Sequence, residues 1–248
     1  MEDTISEIID HLDSRRVDDL IQGIVKLDEV LSSLLPYITA SRKNPQIPRN
    51  AKLVNFTSLQ DNFQYNITNH LIQFYKVIRD DIGRVEINMI LTCNRLLQGL
   101  LLLHPESRKI FNRSNNMNTM LSFIRITDGG DDEAQLPVEV TISFISTLIH
   151  ILLKDLTNFR VFEENNGCSI VIKKLQLSSF PPHKDSQPSK QQELNFKIIE
   201  FLIFYLIDEN EIASTTKRRT TQEKSELFRP DFPEIDSLVE SLNDLKNI

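Results

Sequence analysis

Glycine is scarce, 6 of 248 residues or about 2.4 %, where an average chain carries about 7 %. It is the residue that reaches φ > 0 without strain and lets backbone lie against a phosphate. The six stand at 23, 83, 99, 129, 130 and 167, and neither G-x-G-x-x-G nor G-x-x-x-x-G-K runs through them. Dinucleotide-binding and P-loop folds are therefore disfavoured. Tryptophan is absent, and the two cysteines, Cys93 and Cys168, suit a reducing compartment better than a disulfide framework. The most apolar runs, residues 100–103 and 201–207, fall far short of the roughly 20 residues that span a bilayer. Positive charge is in deficit: 28 Lys and Arg against 35 Asp and Glu leave a net charge of −7, without the basic footprint of a nucleic-acid binder. The N-terminus, MEDTISEIID, is acidic where a secretory or transit peptide is basic. These deficits predict a cytoplasmic or nuclear protein with no membrane insertion and no nucleic-acid partner.

What is present is helical. Hydrophobic residues make up 40 % and charged residues 25 %, as in an ordered globular chain. Apolar residues recur at helical spacing in three stripes: Val17 to Leu35, Met89 to Leu101, and Ile142 to Leu153. From Leu194 to Ile207 they run almost all round, as expected of a central, enclosed helix. Residues 58–81 form a weaker, longer candidate. Prolines punctuate the chain. Pro105 and Pro137 stand where helices begin, and Pro36 is expected in the last turn of one. Linkers are expected near 40–57, 126–136, 178–190 and 210–232 of a single helical domain, 1–248.

The stretch LLLHPESRKIFNRSNNMNTML recurs 51 residues later as LLKDLTNFRVFEENNGCSIVI, which sets Phe111 on Phe162 and Lys109 on Arg160. IIEFLIFYLIDENE matches the start of the same unit again. A long apolar helix, a short connector and a second helix, repeated, is the grammar of an armadillo-like α-solenoid, a right-handed superhelix of stacked repeats. The expected fold class is therefore all-α and armadillo-like, with a plain helical bundle as the alternative.

Apparatus for chemistry is not visible. The five histidines lie in different segments with no metal-ligand spacing, and there is no H-E-x-x-H, paired C-x-x-C or G-x-S-x-G. A thiolate phosphatase needs an arginine six residues after its cysteine, and those positions hold Gly99 and Lys174. Cys93 reads as a buried small hydrophobe, and Cys168 beside a helix start is the one thiol whose pKa could be lowered. The acidic loop at 128–133 departs from the alternating ligands of an EF-hand. No catalytic, cofactor-binding or metal-binding residue is assigned, and no cofactor is expected. A self-contained enzyme would have to assemble scattered groups such as His150, Asp155 and Cys168. The basic TTKRRTTQ segment carries two hydroxyls, Thr220 and Thr221, directly after Arg218 and Arg219, a pattern that suits basophilic kinases.

FRVFEENNGCSIVIKKL, KIIEFLIFYLIDENE, RTTQEKSELF and the final IDSLVESLNDL, preceded by LLLLHPESRKIF and SNNMNTML, occur in the order found in a known family. Together they resemble the fungal cell division control protein 14 family of the septation initiation network, chiefly over 85–248 and more loosely over the N-terminal helices. A dual-specificity phosphatase of the same name is unrelated and is excluded by the cysteine–arginine spacing. The resemblance implies a non-catalytic adaptor that binds a Ste20-like, germinal-centre-type protein kinase in the cascade coupling mitotic exit to cytokinesis. It implies a cytoplasmic protein found at the spindle pole body during mitosis. The matched residues are Arg108, Phe111, Asn158, Arg160, Phe162, Glu163, Gly167, Glu200, Phe201 and Tyr205, continued by Arg219, Thr220, Thr221 and Lys224. Phe111, Phe162 and Phe201 are expected in the core, Asn158 at a cap, and Arg160 on carbonyls at an exposed corner. Gly167 is expected to supply a special φ. Partner contacts are expected on the polar face of the third helix pair and at Arg218, Arg219, Thr220, Thr221 and Lys224. A scaffold or trafficking adaptor without a kinase partner is the alternative, and the oligomeric state is not legible.

Overall fold

A computed structural model describes residues 1–43, 50–80, 83, 85–125, 136–177, 188–210, 212 and 215–246, with backbone only for 42 and 241–246. Every regular element among the described residues is helical, so the chain is all-α. The helices group into two compact units, Met1–Ile110 and Phe111–Ile248.

In the first unit, α1 (Glu2–Leu12) carries acids in its first turn and buries Ile5, Ile8 and Leu12, spaced to share one face. That face lies on α2 (Val17–Lys43), which presents Leu20, Ile24 and Leu27. Gly23 permits the approach, because a Cβ there would stand 3.0 Å from His11 Cβ. Contrary to expectation, α2 continues well past Pro36. A proline's φ suits a helix, and its missing N–H deprives only the carbonyl four residues back, on exposed Ser32, which water can serve. The weak candidate at 58–81 resolves into α3 (Ala51–Gln60), a turn, and α4 (Ile67–Asp80). Thus α3 occupies part of the segment read as a linker, started by Asn50, whose side chain accepts Lys52 N–H. Tyr75 of α4 donates to Asn94 Oδ1 at 2.6 Å on α5 (Ile87–Leu103).

A 3₁₀ segment, Pro105–Asn112, follows α5, and α6 (Ser114–Arg125) opens the second unit. α7 (Val138–Leu152) stacks Phe144 on Phe123 of α6 at 4.5 Å between centroids. The sequence repeat is therefore unequal in structure: its first connector is 3₁₀, and its second is α8 (Leu156–Glu164), capped by Asp155 on Asn158 N–H. α9 (Gly167–Ile172) takes in 168–172 of the 168–175 stretch that a strand reading would misassign. α10 (Lys190–Tyr205) runs along α7 and starts from a reciprocal cap in which Ser189 and Gln192 each bond the other's backbone N–H. The expected linker at 210–232 contains α11 (Thr221–Ser225), and α12 (Ile235–Lys246) follows. The acidic loop at 128–133, Gly129 and Gly130, and most of the expected linkers at 126–136 and 178–190 lie outside the described residues.

Candidate functional site

A helix leaves its last carbonyls unpaired, and α10 has these filled by a segment arriving from downstream. Lys224 Nζ donates to Tyr205 O at 2.8 Å and Ile207 O at 2.7 Å, while Thr221 Oγ1 donates to Leu206 O at 3.0 Å. The Lys224 ammonium also pairs with Glu209 at 3.1 Å and lies over the rings of Phe159 and Tyr205. Both charged side chains are only 1 % exposed. Burial lowers the Lys224 pKa, and the Glu209 carboxylate opposes that shift. The described residues of 208–224 thus form a strap, pinned back onto the end of α10 by Thr221 and Lys224 and tied to Glu209.

A second carboxylate completes the clamp. Glu163, at the end of α8, accepts Arg160 at 3.1 Å, Arg219 Nε at 2.9 Å and the Tyr205 hydroxyl at 2.6 Å. Arg160 reaches across to Glu209 as well, and Glu209 Oε2 accepts Arg219 N–H at 2.7 Å. Two buried carboxylates are therefore surrounded by the cations of Arg160, Arg219 and Lys224. Behind them Cys168 Sγ donates to Tyr205 Oη at 3.6 Å. Burial holds the Tyr205 hydroxyl well above its usual pKa, with Cys168 and Glu163 adding to the effect.

Several expectations change at this site. Arg160 bonds carboxylates, because Glu163 one turn on and Glu209 offer charge where carbonyls offer only dipoles. Lys224 is buried and holds the strap, so it is not a surface contact. Cys168 has no lowered pKa: burial pushes its thiol up to about 12. Arg219 is half-turned inward, whereas Arg218 is exposed and donates to Ile212 O at 3.1 Å. Thr220 is exposed and caps α11, its hydroxyl oxygen accepting Glu223 N–H at 3.1 Å. Glu209 was missed. Its signal was an acid directly after the apolar run, facing a KRR cluster about ten residues on.

The helix expected to be enclosed is open on one side. Among the described residues Phe196 and Ile203, two turns apart on α10, are 56 % and 42 % exposed, and Ile207, just past its end, is 53 % exposed. Beside its end lies a cavity of about 220 Å³, walled by Leu153, Phe159, Phe204 and Ile207, with Lys154 and Asp208 of opposite charge.

The remaining matched residues build the scaffold. Phe111, Phe162 and Phe201 are fully buried, and Phe162, Phe201 and Tyr205 pack as one ring cluster. Arg108 donates to Leu101 O at 2.9 Å and Asn158 to Ile151 O at 3.0 Å, each reaching back seven residues to the end of the preceding long helix. Gly167 does not supply an unusual φ. The left-handed residue is Asn166, at φ 59°. Glycine is required next to it because a Cβ would stand 2.3 Å from the Phe162 ring.

The scattered groups named for an enzyme are found in separate local contacts. His150 bonds Ser146 O, Asp155 caps α8, and Cys168 meets Tyr205. Ser107, His104 and Asp61 do form a chain of 2.8 and 2.9 Å contacts, but Ser107 is 2 % exposed and its Oγ receives Asn66 Nδ2–H. This network joins the turn after α3 to the end of α5. Among the described residues no three His, Cys, Asp or Glu side chains gather as metal ligands, and no helix is long and apolar enough to cross a membrane.

Comparison with known proteins agrees with the residue blocks. A family model described as cell division control protein 14, a septation initiation network component, matches residues 1–218. It takes in the N-terminal helices fully and ends just before Arg219. The chain is 24 % identical over 264 residues to "Cell division control protein 14" of Schizosaccharomyces pombe, covering 98 % of this chain and 95 % of that one. No solved structure matches. The chain belongs to the cell division control protein 14 family of septation initiation network components.

Proposed function

We propose that the protein is a non-catalytic adaptor that binds and supports a Ste20-like, germinal-centre-type protein kinase in the cascade that controls septation. It would act in the cytoplasm and at the spindle pole body during mitosis. The observation that carries this reading is the pairing of a fixed strap with an open apolar row along α10 and just past its end. A surface held by buried charge loses little entropy when a partner docks, and Ile203 and Ile207 give that partner apolar area to cover. Exposed Arg218 and Thr220 offer polar contacts in the strap whose Thr221 bonds Leu206 O, next to Ile207. The helices would stack in the armadillo-like manner. In support, the same cap from connector to preceding helix recurs at Arg108 and Asn158.

Affinity purification of the tagged protein from dividing cells, read by mass spectrometry, tests the proposal. A Ste20-family kinase is expected among the stable partners, and its absence would favour a scaffold or trafficking adaptor instead. Arg218→Glu and Ile203→Asp are expected to reduce kinase recovery while leaving the fold intact. Arg219 is a poor probe, because reversing it breaks the Glu163 pair as well.

A further inference from the structure

We propose that Thr221 is a phosphorylation site for an arginine-directed protein kinase, and that its phosphate releases the strap from α10. The sequence places Arg218 and Arg219 three and two residues before Thr221, the spacing such a kinase reads in an extended substrate. The structure places the Thr221 hydroxyl on Leu206 O at 3.0 Å, between the two carbonyls that Lys224 holds. In the transfer, the terminal phosphoryl group of a nucleoside triphosphate moves to Thr221 Oγ1. The hydroxyl proton is released, and a nucleoside diphosphate departs.

The product cannot sit where the hydroxyl sat. It has no proton for Leu206 O, it sets a charge of about −2 against the negative end of α10, and it competes with Glu209 for the Lys224 ammonium. Glu209, 3.1 Å from the Lys224 ammonium, adds like charge beside it. The substrate side is gated too. Arg219 is tied to Glu163 at 2.9 Å, and Thr221 is only partly exposed, so both reach a kinase only when the strap lifts. Phosphorylation then traps the lifted state. This inference goes beyond the adaptor reading and does not depend on it.

The test uses the full chain with ATP and the catalytic subunit of a cyclic-nucleotide-dependent protein kinase, with sites mapped by mass spectrometry and opening followed by amide hydrogen exchange. Phosphate is expected on Thr221, about 10-fold faster in Glu163→Gln, which loosens Arg219, and about 10-fold slower in Arg218→Ala, whose exchange before treatment matches the parent. Exchange across 206–226 is expected to rise about 10-fold on phosphorylation. Phosphate on Thr220 alone or on neither threonine overturns the proposal. So does an unchanged rate in Glu163→Gln, or unchanged exchange after modification.

Discussion

Gly167 and Gly99 look alike in a composition table, and their surroundings separate them. At Gly167 a methyl group would collide with the Phe162 ring at 2.3 Å, whereas at Gly99, inside α5, nothing stands within 4 Å. Gly167→Ala should therefore destabilise the chain by about 1–3 kcal/mol through overpacking. Gly99→Ala should stabilise it by about 0.5–1 kcal/mol through helix propensity, both read by urea unfolding. Lys224 invites a similar contrast with ordinary surface lysines. Its replacement by Met strands Glu209 and two carbonyls, and a loss of about 3 kcal/mol is expected, since Arg160 and Arg219 N–H still face the carboxylate. An exposed lysine such as Lys190, on Glu139, should change stability by less than about 1 kcal/mol when removed. At this scale the sequence was legible wherever an apolar residue had one place to go, as with Phe111, Phe162 and Phe201. It was less legible for charge. Arg160, Arg219 and Lys224 look like solvent-facing cations until Glu163 and Glu209, distant in sequence from at least one partner each, are brought beneath them.

The elements themselves followed from period and punctuation. The stripes at 89–101 and 142–153 became α5 and α7 with burial matching their spacing, and the stripe at 17–35 became α2, buried at Leu20, Ile24, Leu27 and Leu34. Pro36 misled because a helix can continue past one proline where the orphaned carbonyl meets water, and periodicity cannot tell which face that is. α10 misled for a related reason: an all-round apolar helix reads as enclosed, but only the packing of α7 and α8 decides which side is left open. Caps give this scale its tests. Ser189→Ala, which removes the reciprocal cap of α10, should cost about 1 kcal/mol, and Thr220→Ala should raise amide exchange within α11 at similar cost. The α11 cap depends on pH as well. The Glu223 carboxylate accepts Thr220 N–H at 2.8 Å, which holds its pKa below the usual glutamate range. A depressed pKa means the bond contributes above the ordinary glutamate pKa and is lost as the pH falls through the folded value. Exchange in α11 should rise on acidification, and Glu223→Gln should flatten that dependence.

Taken whole, each unit hides one tyrosine beside one cysteine. Tyr75 and Cys93 form the pair in the first unit, and Tyr205 and Cys168 in the second. Burial pushes both thiols up to about 12 and both phenols well above their usual value. Groups whose folded pKa is raised stabilise fully below their unfolded pKa, and that contribution disappears as the pH climbs toward the folded value. Stability should therefore fall from about pH 9 upward in both units, with tyrosine absorbance at alkaline pH appearing together with unfolding. At pH 8 iodoacetamide should label neither cysteine until denaturant is added. Rapid labelling of either in the native protein would contradict the buried placement.

The strap also sets where the chain tolerates added length. Its two ends are fixed, at Glu209 by Arg160 and at Thr221 and Lys224 by the carbonyls of α10. Closing a longer loop between fixed ends costs only about 0.6 kcal/mol for each doubling of its length. A short epitope placed directly after exposed Thr215 should leave the melting temperature nearly unchanged. The same insertion between Thr221 and Lys224 would pull two anchors out of register. Added length at Thr215 leaves both anchors in place, which makes that exposed position the natural place to attach a reporter.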